Sequence, residues 1–318
     1  MSEGALLLVN MGGPRSLGHV RPYLRAIFRD PAILPAPALL RAPLAHAIAL
    51  LRAPAVRRRY ERIGGASPLA AWTLRQEAAV RAALREAGSE LRVAHAFRYA
   101  TPAIAETMGR LRALGARRVG LVPLFPHESH AMTGSVVREA RRAASRLGIE
   151  LDVLPAWADR PDVLALWQRR IEETLGEAPA GARVLFVAHG IPRRSVARGD
   201  RYPERVRETA ARLGAGLPGD VSWSLAFQSK LGPVEWTRPY IEDEIDRLAA
   251  SAAPLVLVPL SFVADCLETL YDLDLVASER ARQGGIARVA RVAAFNDHPD
   301  FCRALARQAL EWIEEARP

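Results

Sequence analysis

PLVLVPLSFVADCLETLYDLD, residues 254–274, opens on an apolar run at 255–260, short and rich in Val and Leu. A run without polar alternation reads as a strand buried on both faces. Polar residues then begin abruptly and the spacing shifts to the helical period. On a helix, Asp265, Glu268 and Asp272 stand at offsets 0, 3 and 7, so the three carboxylates share one face. A row of like charges launched from a buried strand repels itself, and a divalent hard cation relieves the repulsion. The same spacing also suits a solvated acidic helix face.

Working outward, strand-like runs recur at 5–10, 91–97, 118–125, 150–154, 183–188, 222–227 and 287–292. Helical periodicity fills the gaps, as at 102–114, 135–147, 162–175, 203–213, 239–249 and 299–314. Alternating β and α segments predict parallel sheets with helices on both faces. The two halves also echo each other. VNMGGP (9–14) and VAHGIP (187–192) share V-x-x-G-x-P after a strand. AFRY (96–99) matches AFQS (226–229), and VPLFP (122–126) matches VPLSF (258–262). Three landmarks in the same order predict two similar doubly wound, Rossmann-like domains, placed at 1–155 and 156–318, with the last helix returning to the first.

Gly12 to Phe97 spans 85 residues, whereas Gly190 to Phe227 spans 37. The first half therefore carries an extra segment of 48 residues within about 15–76. There Leu39, Leu40, Leu44, Ile48, Leu50 and Leu51 alternate with Arg41, Arg52 and Arg57 to Arg59. This reads either as a helical hairpin on the core or as an apolar lip with a basic rim, able to hold a flat apolar ligand or touch a membrane surface.

The totals set bounds. The 318 residues are 50% apolar and 25% charged, enough for a sizeable core. No unbroken apolar run approaches the ~20 residues that span a bilayer. ALLLVN begins at residue 5, leaving no room for a signal peptide, so a cytoplasmic location is expected. Lys plus Arg is 44 against 35 acids, and Lys230 is the single lysine. No nucleic-acid-binding motif accompanies that charge, and no nucleic-acid partner is expected. Two cysteines, Cys266 and Cys302, exclude a disulfide framework, a four-cysteine zinc site and a cysteine-ligated iron–sulfur cluster. Neither GxxxxGK[ST] nor GxGxxG occurs. Ligands of open α/β sheets bind at the carboxyl ends of the strands, and His189 stands at one such end before Gly190.

Assembled, these motifs resemble the ferrochelatases, which insert ferrous iron into a porphyrin. The resemblance runs through LLLVNMGGP (6–14), YERIGGASPL (60–69), AFRY, VPLFP with TGS (133–135), AHGIP (188–192), GDRYP (199–203), FQSKLGPVEW (227–236), FVADCLETLYDLD (262–274) and FND (295–297). It implies two Rossmann-like domains with an intervening porphyrin cleft capped by the lip. It implies that His189 and Glu268, both in the C-terminal domain, are catalytic and face each other across the macrocycle. Asp272 and Asp265 would continue from Glu268 as a metal or proton route, with His189, Glu268 and Asp272 as metal-handling residues. Met11, Ser67, Arg98, Tyr60 and Lys230, with Arg52, are the implied porphyrin contacts. Met11 stands where coproporphyrin-type relatives carry Tyr, which favours protoporphyrin IX as substrate and heme as product; coproporphyrin III insertion, cobalt insertion and a non-catalytic heme carrier are the alternatives. Fe(II) is expected as a substrate metal, with no iron–sulfur cluster, and the lip implies peripheral membrane contact. Two departures stand out. Cys266 replaces a histidine common before ETL. His127-Glu128-Ser129 replaces QYS and removes a Tyr from the cleft lining.

Overall fold

Eight short apolar runs become strands, and the helical stretches between them become helices, in the computed structural model, which describes residues 4–229, 232 and 234–315. In chain order the first half runs β1 (Gly4–Asn10), α1 (Val20–Phe28), α2 (Ala38–Glu61), α3 (Leu69–Glu86), β2 (Arg92–Phe97), α4 (Ile104–Ala113), β3 (Arg118–Pro123), α5 (Thr133–Leu147) and β4 (Glu150–Val153). The second runs α6 (Pro161–Gly176), β5 (Arg183–His189), α7 (Arg193–Ala197), α8 (Tyr202–Ala215), β6 (Trp223–Gln228), α9 (Ile241–Ala249) and β7 (Leu255–Pro259). A π-helix (Glu268–Ala277), α10 (Ser278–Gln283), β8 (Val289–Arg291) and α11 (Pro299–Glu315) follow.

The chain divides into two compact units. One comprises Met1–Phe125, His130–Ala156 and Asn296–Pro318; the other comprises Pro126–Ser129 and Trp157–Phe295. Each holds one four-stranded parallel sheet, in the orders β2-β1-β3-β4 and β6-β5-β7-β8. The first core joins Leu7, Val9 and Leu121 to Ile104, Met108 and Val136 on the helices. The second joins Leu185, Val187 and Leu257 to Ile245 and Leu273. Each such side chain contributes about 1.5–3 kcal/mol when fully buried. In the first unit α11 packs on α3. Trp312 Nε1 donates to Asp152 at 3.0 Å, and Gln308 Nε2 to the Pro155 carbonyl at 2.8 Å.

The internal echo is a structural repeat. Leu124 N–H donates to the Val9 carbonyl, and Leu260 N–H to the Val187 carbonyl, both at 2.8 Å. Phe97 N–H reaches the Pro102 carbonyl and Phe227 N–H the Pro239 carbonyl, again at 2.8 Å, each past a cis X-Pro bond. A β strand, a tight exit and a crossover helix have thus been built twice from different side chains.

The extra segment of the first half folds differently from a hairpin within 34–69. α2 is one helix of 24 residues that runs through Pro43 and Pro54, and its packing partner is α1. Its buried side is a stripe of small residues, Ala45, Ala49 and Ala53, spaced by four, which lets α1 approach with Val20, Leu24 and Phe28. The larger leucines are left outside: Leu39 is 92% and Leu51 82% exposed. The expectation that no unbroken apolar run approaches membrane length holds, since Arg41 and Arg52 break this helix, but its average tells differently. α2 is long and apolar enough to cross a bilayer by length and composition, with mean hydropathy 1.3 over its best window. Arg41 and Arg52 interrupt the run without lowering that average below a spanning value.

Candidate functional site

In the second unit β5 carries an apolar run to the sheet's carboxyl edge, where His189 emerges half-buried. Gly190 makes the exit possible. A Cβ there would lie 3.0 Å from the Gln228 carbonyl oxygen and 3.1 Å from that of Ser229, and the Gly190 N–H donates to the former at 2.7 Å. The His189 backbone N–H donates to Ser261 Oγ at 3.2 Å, and that hydroxyl lies 2.5 Å from the Tyr202 hydroxyl. Burial pushes the Tyr202 phenol up, so it stays neutral. Nδ1 of His189 lies 2.7 Å from the Gly190 carbonyl oxygen. A carbonyl only accepts, so Nδ1 carries the proton, and in the neutral ring Nε2 holds the lone pair. The Trp236 ring stands 6.4 Å away at 61°.

The acidic stretch after β7 departs from the α-helical expectation. Glu268–Ala277 is a π-helix, bonded i to i+5, and Asp265 precedes it. The three carboxylates therefore do not form one α-helical row. Glu268 and Asp272, four apart, lie within one widened turn and are both half-buried. Asp265 is committed elsewhere. Thr269 Oγ1 donates to it at 3.2 Å, and Arg291, whose side chain is 12% exposed, sits 3.1 Å away while also holding Asp274 at 2.6 Å. The repulsion read from the sequence is thus relieved at Asp265 by a guanidinium. Among the described residues no three His, Cys, Asp or Glu side chains gather as a metal site, so His189, Glu268 and Asp272 are not a preassembled three-ligand centre. Cys266 is buried; burial first and the Glu268 charge second push its thiol well up, so it remains S–H.

His127 and Glu128 belong to this unit and find partners inside it, except that the buried Nδ1 of His127 has none among the described residues. His127 is 3% exposed, with Nε2 3.0 Å from Thr209 Oγ1 and its ring edge-on to Tyr202. Burial, then Arg205, lowers its pKa to about 3, so the ring is neutral. Glu128 pairs with Arg205 at 2.6 Å.

In the first unit the exits of β1 and β2 meet. Arg98 N–H donates to the Asn10 carbonyl at 3.0 Å and Tyr99 N–H to that of Met11 at 3.1 Å. Ser67 N–H bonds the Pro14 carbonyl at 2.8 Å, and a Cβ on Gly13 would fall 2.3 Å from Ser67 Oγ. Met11 and Ser67 are half-buried at this edge. Arg98 is brought there too, but its guanidinium points to work within the unit. It donates to Ser135 Oγ and Asp30 Oδ2, both at 2.7 Å. Tyr60 is 4% exposed and offers little surface to a ligand. Arg52 stacks 5.7 Å over Phe28, its pKa lowered by burial and by Arg59. Lys230 lies outside the described residues. Sequence reasoning missed Asp30, Ser261, Tyr202 and Arg291. Each is recognisable only by what a distant segment brings to it.

The sequence profile described as Ferrochelatase matches residues 3–311. The chain belongs to the ferrochelatase family. It is 37% identical over 321 residues to the ferrochelatase of Gloeobacter violaceus, covering 98% of both chains. It is 35% identical to that of Caulobacter vibrioides, covering 98% of this chain and 91% of the relative. Its enzyme class is that of the porphyrin metal chelatases, lyases of heme biosynthesis. Among solved structures, CbiX, the terminal enzyme for siroheme biosynthesis in denitrifying bacteria, aligns over 96% of this chain and 98% of its own at a TM-score of 0.52 and 18% identity. SirB from Bacillus subtilis with Fe3+ aligns over 75% of this chain and 89% of its own, also at 0.52, with 17% identity. At those identities the likeness is one of fold alone.

Proposed function

We propose that the chain inserts Fe(II) into protoporphyrin IX, with His189 taking up pyrrole protons and Glu268 carrying protons or the incoming metal's water away. The single supporting observation is the His189 tautomer. Its Nδ1–H is spent on the Gly190 carbonyl, so Nε2 keeps the lone pair that a departing proton or an arriving dication needs. The balance is simple: two N–H bonds of the macrocycle break, two protons leave, and the dication takes their place. Glu268 opens the π-helix and Asp272 shares its turn, so a second carboxylate stands next in line. Met11 at the β1 exit supports the protoporphyrin preference over coproporphyrin III. Anaerobic Fe(II) with each porphyrin, followed by absorbance, decides between them: protoporphyrin IX is expected to turn over faster. Faster coproporphyrin III turnover reverses the preference, and binding of both without turnover identifies a carrier.

The exposed face of α2 supports a location at a membrane surface on the cytoplasmic side. Leu39 and Leu51 project into solvent on the helix that carries the exposed Arg57, Arg58 and Arg59 in its last turns, a combination that pairs apolar insertion with attraction to anionic headgroups. Cosedimentation with phosphatidylserine-containing vesicles is expected for the native chain and should fall sharply in L39E/L51E. Equal sedimentation of both removes the lip from the reading.

A further inference from the structure

A cavity of about 640 Å³ lies wholly within the first unit, where α3 and α4 flank β2, the edge strand of the sheet. Its apolar lining includes the buried Leu91, Val93 and Leu111, which offer little surface, and Leu114, which is 60% exposed. Arg85 and Arg110, both exposed, belong to its lining. So do Glu77, Arg81 and His95. Glu77 is shared between two partners: one carboxylate oxygen pairs with Arg81 and the other with Nδ1 of His95. Arg81 also caps the free edge of β2 by donating to the Val93 carbonyl at 3.1 Å, and Thr107 Oγ1 caps the His95 carbonyl at 3.2 Å.

Two features exceed what capping an edge strand requires. A carboxylate accepting at Nδ1 sets the tautomer and leaves Nε2 with the lone pair, the arrangement that orients imidazoles toward metals. Burial, together with Arg110, Arg15 and Arg81, favours the neutral ring, while Glu77 accepts its Nδ1 proton. Beside that ring the cavity combines an apolar lining with guanidinium forks, which suit a large apolar body bearing carboxylates. Its volume falls in the range of sites for small organic molecules and cofactors.

We propose that this cavity binds an iron porphyrin, with Nε2 of His95 as an axial ligand and Arg85 and Arg110 meeting the propionates. The site is separate from His189 and Glu268, which belong to the other unit. Heme is chosen because the family's reaction makes it, and in that respect the inference rests on the insertion reading. Occupancy would report the product's concentration back to the enzyme that makes it.

The test is a titration of the full chain, in the His189→Ala background, with ferric heme, read at the Soret band. A heme with an imidazole-ligated spectrum is expected. His95→Ala should abolish that spectrum, and Glu77→Gln should weaken binding by roughly 10–100-fold. Because changes at His95 or Glu77 could disturb the strand edge, R85A/R110A is the second probe. These side chains are exposed, and their loss should weaken heme binding about tenfold while circular dichroism stays unchanged. Metal-free protoporphyrin IX should show no dependence on His95. An imidazole-type spectrum unchanged in His95→Ala, or a heme affinity unchanged in R85A/R110A, overturns the proposal and leaves Glu77 as the partner that holds the edge-capping Arg81. Insertion by the native chain is assayed in parallel. Its absence sinks the insertion reading alone, since the heme titration needs no turnover.

Discussion

His189→Ala is expected to lose Fe(II) insertion by about 10²–10⁴-fold, the scale of a positioned general base, while still binding porphyrin. The imidazole stands at the carboxyl end of β5, fixed from the backbone side by Ser261 and from the ring side by the Gly190 carbonyl. Neither contact is part of the hydrophobic core, so alanine removes the lone pair at Nε2 without opening a cavity in the fold. A drop in kcat with an intact porphyrin Kd is the signature of lost proton transfer or metal capture. Retained kcat would end the case for His189, whatever happened to binding. Glu268→Gln is the companion. It keeps shape and hydrogen bonding at the start of the π-helix while removing the charge, and kcat should again fall.

Arg98→Ala is expected to cost about 3–5 kcal/mol of stability, the usual result of stripping one partner from a buried ion pair. Asp30 has a side chain 1% exposed and is held by Arg98 at 2.7 Å, by the Tyr99 hydroxyl at 3.0 Å, by the Ala32 N–H at 2.8 Å and by Ser135. Arg138 stands further off at 3.8 Å. Burial by itself would raise the Asp30 carboxyl. Its hydrogen bonds from Ser135 and Ala32, the charge of Arg98 and the bond from Tyr99 outweigh that, and hold it below the usual carboxylate range. The sign of the pH dependence follows. The stabilisation is fully present above the unfolded value of about 3.9 and is lost as pH falls through the lower folded value. Urea midpoints at pH 7 should therefore separate Arg98→Ala widely from the native chain, and the gap should narrow on acidification below about pH 4. If Arg98 instead served only a porphyrin propionate, the variant would unfold like the native chain and only KM would rise.

The strands were legible because burial on both faces writes itself as unbroken Val and Leu runs, as at Leu255–Pro259 and Arg183–His189. The duplication of the fold was legible through the repeated landmarks, since a V-x-x-G-x-P exit after a strand makes the same turn twice, whereas the strand order within each sheet was not read. The position of His189 at a strand end was legible for the same reason. The π-helix was not. An α period and a π period both place Glu268 and Asp272 near one face, and composition does not mark the one-residue widening of the turn. The lip was half legible: its leucines and arginines were visible, but the alanine stripe that makes α2 one helix against α1 resembles low-information filler.

The sequence by itself determined two parallel α/β units of repeated design, the family, and the residues at the strand exits, because periodicity and local turn chemistry act over a few neighbours. Tertiary structure alone decided which charges were spoken for. Arg98 meets Asp30 across 68 positions and Arg291 meets Asp265 across 26. A guanidinium that reads as free in the chain is then already neutralised in the fold. Coulombic pairing depends on distance in space, and separation along the chain carries no record of it.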